Sequence, residues 1–375
     1  MSQRLDGWIT GDQAKRGGRK MMKVRASHRA IFIATSFALA TLPVLPHSLV
    51  EASCGSTTCF LVIGSQAGVS QKGLLTANMI YNYIPQGTLL DGTTGIIPAV
   101  KVDDRQIVLD EHREIRTINQ FFTLDLNYGV TERFAVQVTV PTIVRSHRHL
   151  IEQGATNEEE QLFTDNGLGD IRLTGKYNIL PTLRSLLVVG IGIELPTGKF
   201  NTQTNVPKNT QEPTLQLSRG NVGLVGTLYQ AYELLPHRLN QFSSVSYRHT
   251  FRNNNGYQFG DEYILSGGLN YQALNWLVLT GQFNWRYLVH DNFSSSLRQH
   301  VPAGASFDID TAIRDRRVPT TGSTTLMFTP GFTLNVLPQT ALYVNVQIPV
   351  ARDFNNNLAQ GVSYVFGITR SFQLF

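Results

Sequence analysis

The stretch Tyr257–Tyr271 reads YQFGDEYILSGGLNY, and its pattern decides the fold class. One alternate set of residues is mostly apolar or aromatic: Tyr257, Phe259, Asp261, Tyr263, Leu265, Gly267, Leu269 and Tyr271. The intervening set is mostly polar or small: Gln258, Gly260, Glu262, Ile264, Ser266, Gly268 and Asn270. Because side chains of a strand point alternately to opposite sides, this period of two predicts a β-strand with one apolar and one polar face.

The same alternation returns along most of the chain. It is clear in Ile171–Ile179, Leu277–Val289, Leu342–Ile348 and Val362–Thr369. Weaker versions occur in Leu75–Tyr83, Ile118–Tyr128, Phe134–Val140, Leu187–Leu195, Val222–Leu228, Phe242–Thr250 and Leu326–Val336. Helical spacing is not convincing anywhere after residue 52, so the pattern predicts an all-β protein of about twelve strands.

Strand length separates the two architectures that use many such strands. Strands of soluble sandwiches run about 5–6 residues, whereas strands that cross a membrane need about 9–11. The alternating segments here run about 10 to 15 residues, which favours a membrane barrel with its apolar face toward lipid. We therefore predict a transmembrane antiparallel up-and-down β-barrel.

The connections between the predicted strands alternate in length. Longer linkers are predicted at Ile84–Glu111, Arg145–Asn166, Pro196–Pro213, Arg252–Gly256, Asp291–Gly322 and Ala351–Gln360. Short ones are predicted at Gly129–Arg133, Pro181–Ser185, Leu234–Asn240, Ala273–Asn275 and Pro338–Gln339. Bacterial barrels have short periplasmic turns and longer outer loops, so this alternation predicts an outer-membrane location with both termini in the periplasm.

The first 52 residues have the order of a secretory leader. Basic residues from Lys23 precede the apolar run Ala30–Leu45, polar residues follow, and Val50–Ala52 offers small or compact residues at the positions that cleavage needs. The run is about 16 residues long, short of the roughly 20 that a helical anchor needs. We predict a signal peptide with its core at residues 23–52, removed after Ala52, with Met1, Met21 or Met22 as the start. A single membrane anchor is the alternative.

Charge argues against a nucleic-acid partner. Only 16% of the 375 residues are charged, against roughly 25% in soluble globular domains. The net charge is +5, but residues 1–52 hold eight of the 32 basic and three of the 27 acidic residues. The remainder carries 24 of each, so the predicted mature protein is neutral and lacks the basic surface that nucleic acid needs.

Residues 73–375 form the predicted barrel, and charged residues on its polar face are the candidate pore lining. They are Asp125, Asp170, Arg172, Lys176, Glu194, Arg248, Glu262 and Arg286. Opposed charges across a pore set a transverse field that selects permeants. The alternative is mutual neutralisation that merely fills a narrow lumen. Twelve strands lie between the nearly solid eight-stranded barrels and the open porins, so a narrow or partly plugged pore is expected.

Two cysteines, Cys54 and Cys59, lie in the predicted periplasmic segment Ser53–Lys72. In an oxidising periplasm a disulfide is the default for such a pair. The segment lacks C-x-x-C-H, and two cysteines alone make an incomplete metal site, so no cofactor or metal is predicted. The bridge is predicted to stiffen a short plug that enters the pore.

The string RSHRH places His147 and His149 beside Arg145 and Arg148 in a predicted outer loop. H-x-H can bind a metal on a strand face, but the nearest acid along the chain is Glu152. We interpret the string as a solvated basic patch that contacts lipopolysaccharide phosphates.

Several local strings resemble a known family. They are Gly167–Ile171 (GLGDI), Lys176–Tyr177, Glu194–Gly198 (ELPTG), Tyr128–Arg133 (YGVTER) and Val140–Pro141. They are similar to strings in the outer-membrane proteins grouped with the meta-pathway of phenol degradation, over roughly residues 75–375. The resemblance implies an outer-membrane transporter, and its cargo is expected to be small and hydrophobic or aromatic.

Three functions are weighed on this basis. The first is a channel that passes such molecules passively, because no energy-coupling domain is visible. The second is a structural barrel that houses a partner, and the third is a barrel enzyme. The chain has no G-x-S-x-G and no histidine beside a nucleophile at strand spacing, so we predict that it is not an enzyme. The ending Phe372–Phe375 resembles the signal read by the barrel assembly machinery, the other expected partner besides membrane lipid.

Overall fold

The computed structural model describes residues 68–92, 99–103, 106–110, 112–152, 158–180, 182, 184–203, 210–294, 298–300, 317–318 and 320–374. The predicted leader, Cys54, Cys59 and Phe375 lie outside these residues, so the signal peptide, the disulfide and most of the plug stay predictions. No helix among the described residues is long and apolar enough to cross a membrane.

One antiparallel sheet forms the protein's wall. Its strands are β1 (Leu74–Gly92), β4 (His112–Gly129), β5 (Phe134–Glu152), β6 (Glu158–Leu168), β7 (Ile171–Asn178), β8 (Ser185–Leu195), β9 (Gly223–Leu235), β10 (Leu239–Thr250), β12 (Glu262–Leu274), β13 (Leu277–Leu288), β16 (Ser323–Leu337), β17 (Thr340–Gln360) and β18 (Ser363–Gln373). Because β6 and β7 both pair with β5 and follow each other, they make one wall strand. The described residues thus form twelve wall strands, and pairing of β1 with β18 closes the barrel.

Short elements lie in the longer connections at one end of the barrel. They are β2 (Ala99–Asp103), β3 (Gln106–Asp110), the 3-10 turn η1 (Pro213–Leu215), β11 (Tyr257–Gln258), β14 (Asn292–Phe293) and β15 (Arg298–His300). We call this end the long-loop end, and the opposite one the short-turn end. The five short turns predicted from the sequence all lie at the short-turn end. This confirms the predicted alternation of short and long connections along the chain.

Exposure confirms which face points outward. On β13 the side chains of Leu279 and Phe283 are 44% and 53% exposed, whereas Gln282 between them is 1% exposed. Asn345 on β17 is likewise buried. The apolar set therefore covers the outside and the polar set fills the interior, which is the arrangement of a barrel whose surroundings are lipid.

Several predicted linkers are wrong because the strands continue through them. β1 extends to Gly92, β5 to Glu152 and β17 to Gln360, each well into a region expected to be a loop. We call the parts of these strands near the long-loop end their upper parts. The outward side chains there include charged ones, such as Arg148, which pairs with Glu160. The apolar alternation therefore stops above the lipid layer, although the backbone ladder of the sheet continues.

A charge on the lipid-facing side at mid-strand should destabilise the barrel. We expect Phe283→Arg to lower the free energy of unfolding by about 2–4 kcal/mol, because the guanidinium would lie in hydrocarbon. Denaturant unfolding in lipid vesicles measures this. Leu162→Arg is the matched control: Leu162 is also exposed, but it lies directly opposite Arg148 above the apolar belt, so we expect a cost of about 0–1 kcal/mol. Equal costs at both positions would contradict the assignment of the lipid-facing belt.

Gly367 permits a contact that crosses a strand. The Tyr343 ring on β17 passes over this glycine on β18, and its hydroxyl donates a hydrogen bond of 2.9 Å to Asn78 Oδ1 on β1. A Cβ at residue 367 would lie 2.1 Å from Tyr343 Cζ. The absence of a side chain at residue 367 is therefore what allows the tyrosine to bridge three strands.

Gly367→Ala should consequently destabilise the barrel by about 1–3 kcal/mol, the usual cost of overpacking. Unfolding in lipid vesicles again measures it. Gly281→Ala is the matched control, because nothing lies within 4 Å of a Cβ built there. Replacing Tyr343 by alanine in the Gly367→Ala background should make the added methyl nearly neutral. An unchanged penalty in that background would show that the clash is not the cause.

Candidate functional site

Seven of the eight predicted pore-lining residues lie on wall strands with their side chains buried in the barrel interior. They are Asp125 on β4, Arg172 and Lys176 on β7, Glu194 on β8, Arg248 on β10, Glu262 on β12 and Arg286 on β13. Their side chains point inward, as the alternation of polar and apolar residues along each strand predicts. Their role in selecting a permeant stays a prediction.

Five of these side chains form a continuous ladder of alternating charge. Arg172 Nη2 lies 3.2 Å from Glu194 Oε1, and Arg248 Nη1 lies 3.3 Å from the same oxygen. Arg248 Nη2 contacts Glu262 Oε2, and Arg286 Nε donates to Glu262 Oε1 over 2.5 Å. Each carboxylate thus holds two guanidinium groups, and the charge ladder runs across the inner wall from β7 to β13.

Gly223 on β9 makes one step of the charge ladder feasible. Glu194 and Arg248 lie on β8 and β10, with β9 between them. Gly223 pairs with Glu194, and a Cβ there would lie only 3.0 Å from Glu194 Oε2. The two charges meet across β9 because this position carries no side chain.

Asp125 lies outside the charge ladder, on the neighbouring wall. Its Oδ2 accepts hydrogen bonds from Gln137 Nε2 at 2.5 Å and Thr139 Oγ1 at 2.7 Å. Lys176 and Arg172 act on it electrostatically from β7. A network of charge and hydrogen bonds thus ties β4, β5 and β7 together inside the barrel.

Asp170, the eighth predicted residue, lines a small interior pocket together with Glu194 and Arg219. This residue lies between β6 and β7, off the wall strands, and it is half-buried. Its Oδ2 accepts from Arg219 N at 2.9 Å and its Oδ1 from Gly198 N at 3.4 Å. Asp170 therefore anchors a loop where the wall strand is interrupted at residues 169–170, and its role as a pore-lining charge stays a prediction.

The anchored loop connects β8 to β9, and its described residues, 196–203 and 210–222, enter the barrel, so we call it the inserted loop. Its Leu217 packs in a buried cluster with Phe121 and Ile143 of the wall. Arg145 on β5 donates from Nη1 to Thr214 O at 3.1 Å and to Gln216 O at 3.0 Å. The barrel interior is thus partly filled, as expected, but by a loop between β8 and β9.

The two halves of the inner wall differ in character. The half opposite the charge ladder carries a patch of buried apolar and aromatic side chains. It consists of Ile80 and Ile84 of β1, Phe121 of β4, Ile143 of β5, Tyr343 of β17 and Val365 of β18. We call this the apolar patch, and Leu217 covers it. The lumen is two-faced only in this sense: an apolar patch lies among buried polar side chains, such as Asn78, Asn82 and Asn119, on β17, β18, β1, β4 and β5, and a charge ladder lies on β7 to β13.

Arg219 carries the inserted loop toward the charge ladder. Its Nη1 donates to Thr250 Oγ1 at 3.1 Å, and its guanidinium carbon lies 4.9 Å above the centre of the Phe259 ring. Burial lowers the pKa of Arg219 to about 10, and the charge of nearby Arg248 acts in the same direction. The side chain is still cationic at neutral pH, so the loop presents Leu217 to one half of the wall and a cation to the other.

An open cavity lies toward the long-loop end. Its lining includes Glu212 and Leu215 of the inserted loop, Glu114 and His147 of the wall, and Asp291 beyond β13. Asp291 accepts hydrogen bonds from Tyr257 Oη and Gly260 N, each at 2.7 Å, and burial raises the pKa of its carboxyl. The cavity is open to solvent, and the inserted loop contributes to its lining.

The interpretation of RSHRH as a solvated basic patch is wrong for three of its four charged residues. Arg145, His147 and His149 face the interior of β5 and are 1%, 1% and 5% exposed, and only Arg148 points outward. Glu114 on β4 lies beside the two histidines, with its Oε2 3.0 Å from His147 Nε2. The sequence analysis missed Glu114 because this residue precedes the histidines by more than thirty residues. Only the pairing of β4 with β5 brings it beside them.

Comparison with solved structures gives the class of protein. The fold is similar to that of an outer-membrane channel from Pseudomonas putida F1, with 12% identity, a TM-score of 0.55, and coverage of 81% of this chain and 97% of that chain. Weaker likenesses are to the NanC porin (9% identity, TM-score 0.40, 78% and 98% coverage) and the CymD monoaromatic hydrocarbon channel (11%, 0.39, 81% and 90%). The first of these likenesses agrees with the strand order in giving the fold, that of a twelve-stranded outer-membrane β-barrel.

The chain matches no family model and none of the curated proteins. The resemblance to the family grouped with phenol degradation accordingly stays a prediction.

Proposed function

We propose that the protein is a passive outer-membrane channel for small molecules, and that hydrophobic or aromatic molecules are its preferred permeants. The observation that carries this proposal is the two-faced lumen. The apolar patch offers a surface for a ring or an alkyl group, and the charge ladder offers groups for a polar substituent. A permeant that has both an apolar group and a polar substituent can replace its contacts with water by contacts with the inner wall as it passes through the barrel.

The inserted loop controls this path. Leu217 occupies the apolar patch and Arg219 lies toward the charge ladder, so a permeant competes with the loop for the same two surfaces. The long-loop end faces the outside in bacterial barrels, so the open cavity is where a permeant first binds. A partner-housing role is less suited to this lumen, because the loop already occupies it.

Uptake into proteoliposomes tests the proposal with a matched pair of solutes. Phenylalanine and serine share the same zwitterionic backbone, and only the first carries an apolar ring. We expect the barrel to admit phenylalanine faster than serine, although phenylalanine is larger and would diffuse more slowly through a plain aqueous pore. Faster entry of serine would refute the preference for apolar permeants, and no entry of either solute would refute the channel.

A further inference from the structure

Glu114, His147 and His149 form a compact cluster of metal-ligand side chains. One ligand atom of each lies within 4.8 Å of the others, and all three residues are buried. The cluster lies on β4 and β5 toward the long-loop end, and Arg286 of the charge ladder lines the same cavity. Two imidazoles and one carboxylate are a ligand set that zinc uses when a fourth position is left for water or substrate.

The distances suit a metal of that size. His147 Nε2 lies 3.0 Å from Glu114 Oε2 and 3.1 Å from His149 Nδ1. Ligand atoms at about 2.0–2.1 Å from a tetrahedral zinc ion are about 3.3 Å apart. Two of the three separations are thus close to those of a zinc site, and the third, between Glu114 and His149, lies within 4.8 Å and has to adjust when an ion binds.

A β-bulge is what brings Glu114 into the cluster. The β4–β5 pairing runs regularly up to Thr117 opposite His147, but the register shifts between Glu114 and Arg116. Residues 114 and 117 are an odd number apart, so in a regular strand they would face opposite sides. The bulge turns both inward and sets Glu114 opposite His149. Bulges that re-aim a side chain in this way occur frequently at functional sites.

Thr117 provides the outer support that metal-bound histidines usually have. Its Oγ1 lies 2.8 Å from His147 Nδ1, so the hydroxyl oxygen can accept a hydrogen bond from Nδ1–H. The proton then stays on Nδ1, and the lone pair of Nε2 is available to a metal. The nearest cation on the same face of β5, Arg145, is turned to Asn119 Oδ1 at 2.6 Å and to carbonyl oxygens of the inserted loop. The Arg145 guanidinium thus donates its hydrogen bonds to oxygens outside the cluster.

From these contacts we propose that Glu114, His147 and His149 bind one divalent transition-metal ion of the zinc class inside the barrel. Glu114 and His147 also line the open cavity, so the ion can exchange with solution and keep a coordination position for water or a donor group of a bound molecule. The site would join β4 to β5 at the long-loop end. Hard cations such as Mg²⁺ prefer all-oxygen sites and should not compete.

Zinc titration of the purified full-length barrel in detergent tests the proposal, with any affinity tag removed and both cysteines replaced by serine. We expect one Zn²⁺ per chain by calorimetry, no heat with Mg²⁺, and a Co²⁺ complex with the strong visible absorption of a four-coordinate site. His147→Ala and His149→Ala should abolish both signals. Thr117→Val should weaken Zn²⁺ binding by about 10-fold, as loss of an outer-shell partner does.

His249→Ala is the matched control, because His249 also contacts a carboxylate, Asp261, at 2.7 Å but belongs to no group of three metal-ligand side chains in the part of the chain that the structure describes. Its Zn²⁺ binding should equal that of the parent. Heat-modified migration on gels checks that every variant is folded. A folded parent without stoichiometric Zn²⁺ binding, or binding that survives in folded His147→Ala and His149→Ala proteins, would overturn the assignment.

Discussion

Shortening the inserted loop should raise the single-channel conductance several-fold. Ser218 N donates a hydrogen bond of 2.9 Å to Lys199 O, so these two residues already lie side by side at the base of the loop. Residues 200–217 can therefore be replaced by Gly-Gly without separating β8 from β9. The deletion removes Leu217 from the apolar patch and the carbonyl groups that Arg145 binds, and leaves the charge ladder in place.

Planar-bilayer recording of parent and deleted barrels measures this effect. Leu217→Ala should give a smaller increase, because the loop stays but loses its apolar contact, whereas Leu217→Met should behave like the parent. The deleted barrel should also lose part of its preference for phenylalanine over serine, since a wider lumen lets solutes pass without wall contact. Unchanged conductance in a folded deletion variant would mean that the loop does not obstruct the conduction path.

Glu262→Gln should be the most damaging single substitution in the charge ladder. Glu262 contacts both Arg248 and Arg286, so its neutralisation leaves two buried guanidinium groups facing each other with one carboxylate fewer. Breaking a buried pair in this way costs about 3 kcal/mol or more. We also expect ion selectivity to shift toward anions, because the inner wall gains a net positive charge.

Unfolding in lipid vesicles and reversal potentials in a salt gradient measure the two effects. Glu160→Gln is the matched control: Glu160 also pairs with an arginine, but both side chains of that pair are about half exposed, so we expect a loss within about 1 kcal/mol and no change in selectivity. Adding Arg286→Gln to Glu262→Gln should recover part of the stability. Equal losses for Glu262→Gln and Glu160→Gln would mean that the charge ladder does not stabilise the barrel.

The wall was predictable because lipid imposes a simple rule on the sequence. Each wall strand must present apolar residues to the membrane, and the period of two therefore gives the strand's inner face as well. That is why seven candidate charges, among them Arg248 on β10 and Glu262 on β12, have their side chains in the interior. This alternation is required only where a strand contacts lipid. The upper parts of β1 and β5 lack it, and the sequence analysis therefore predicted loops there.

The contents of the lumen were not predictable by the same reasoning. The inserted loop has no regular period, and its position depends on separate contacts such as Asp170 with Arg219 N and Arg145 with Thr214 O. Glu114 escaped notice for a related reason. A bulge reverses its direction, and strand pairing rather than sequence spacing brings it to His147. Contacts made by single residues across a fold leave no repeating signal in the chain.

Lipid quenching at two adjacent residues of β13 tests the outward-apolar, inward-polar arrangement most directly. A bimane label is placed on Leu279→Cys or on Thr280→Cys, each in a cysteine-free protein reconstituted with brominated lipid. Leu279 is 44% exposed on the outside, and Thr280 faces inward, where its Oγ1 donates to Asn270 Oδ1 at 2.8 Å. We predict strong quenching at residue 279 and little at residue 280, with the opposite order for aqueous iodide. Equal or reversed quenching would contradict the barrel as described.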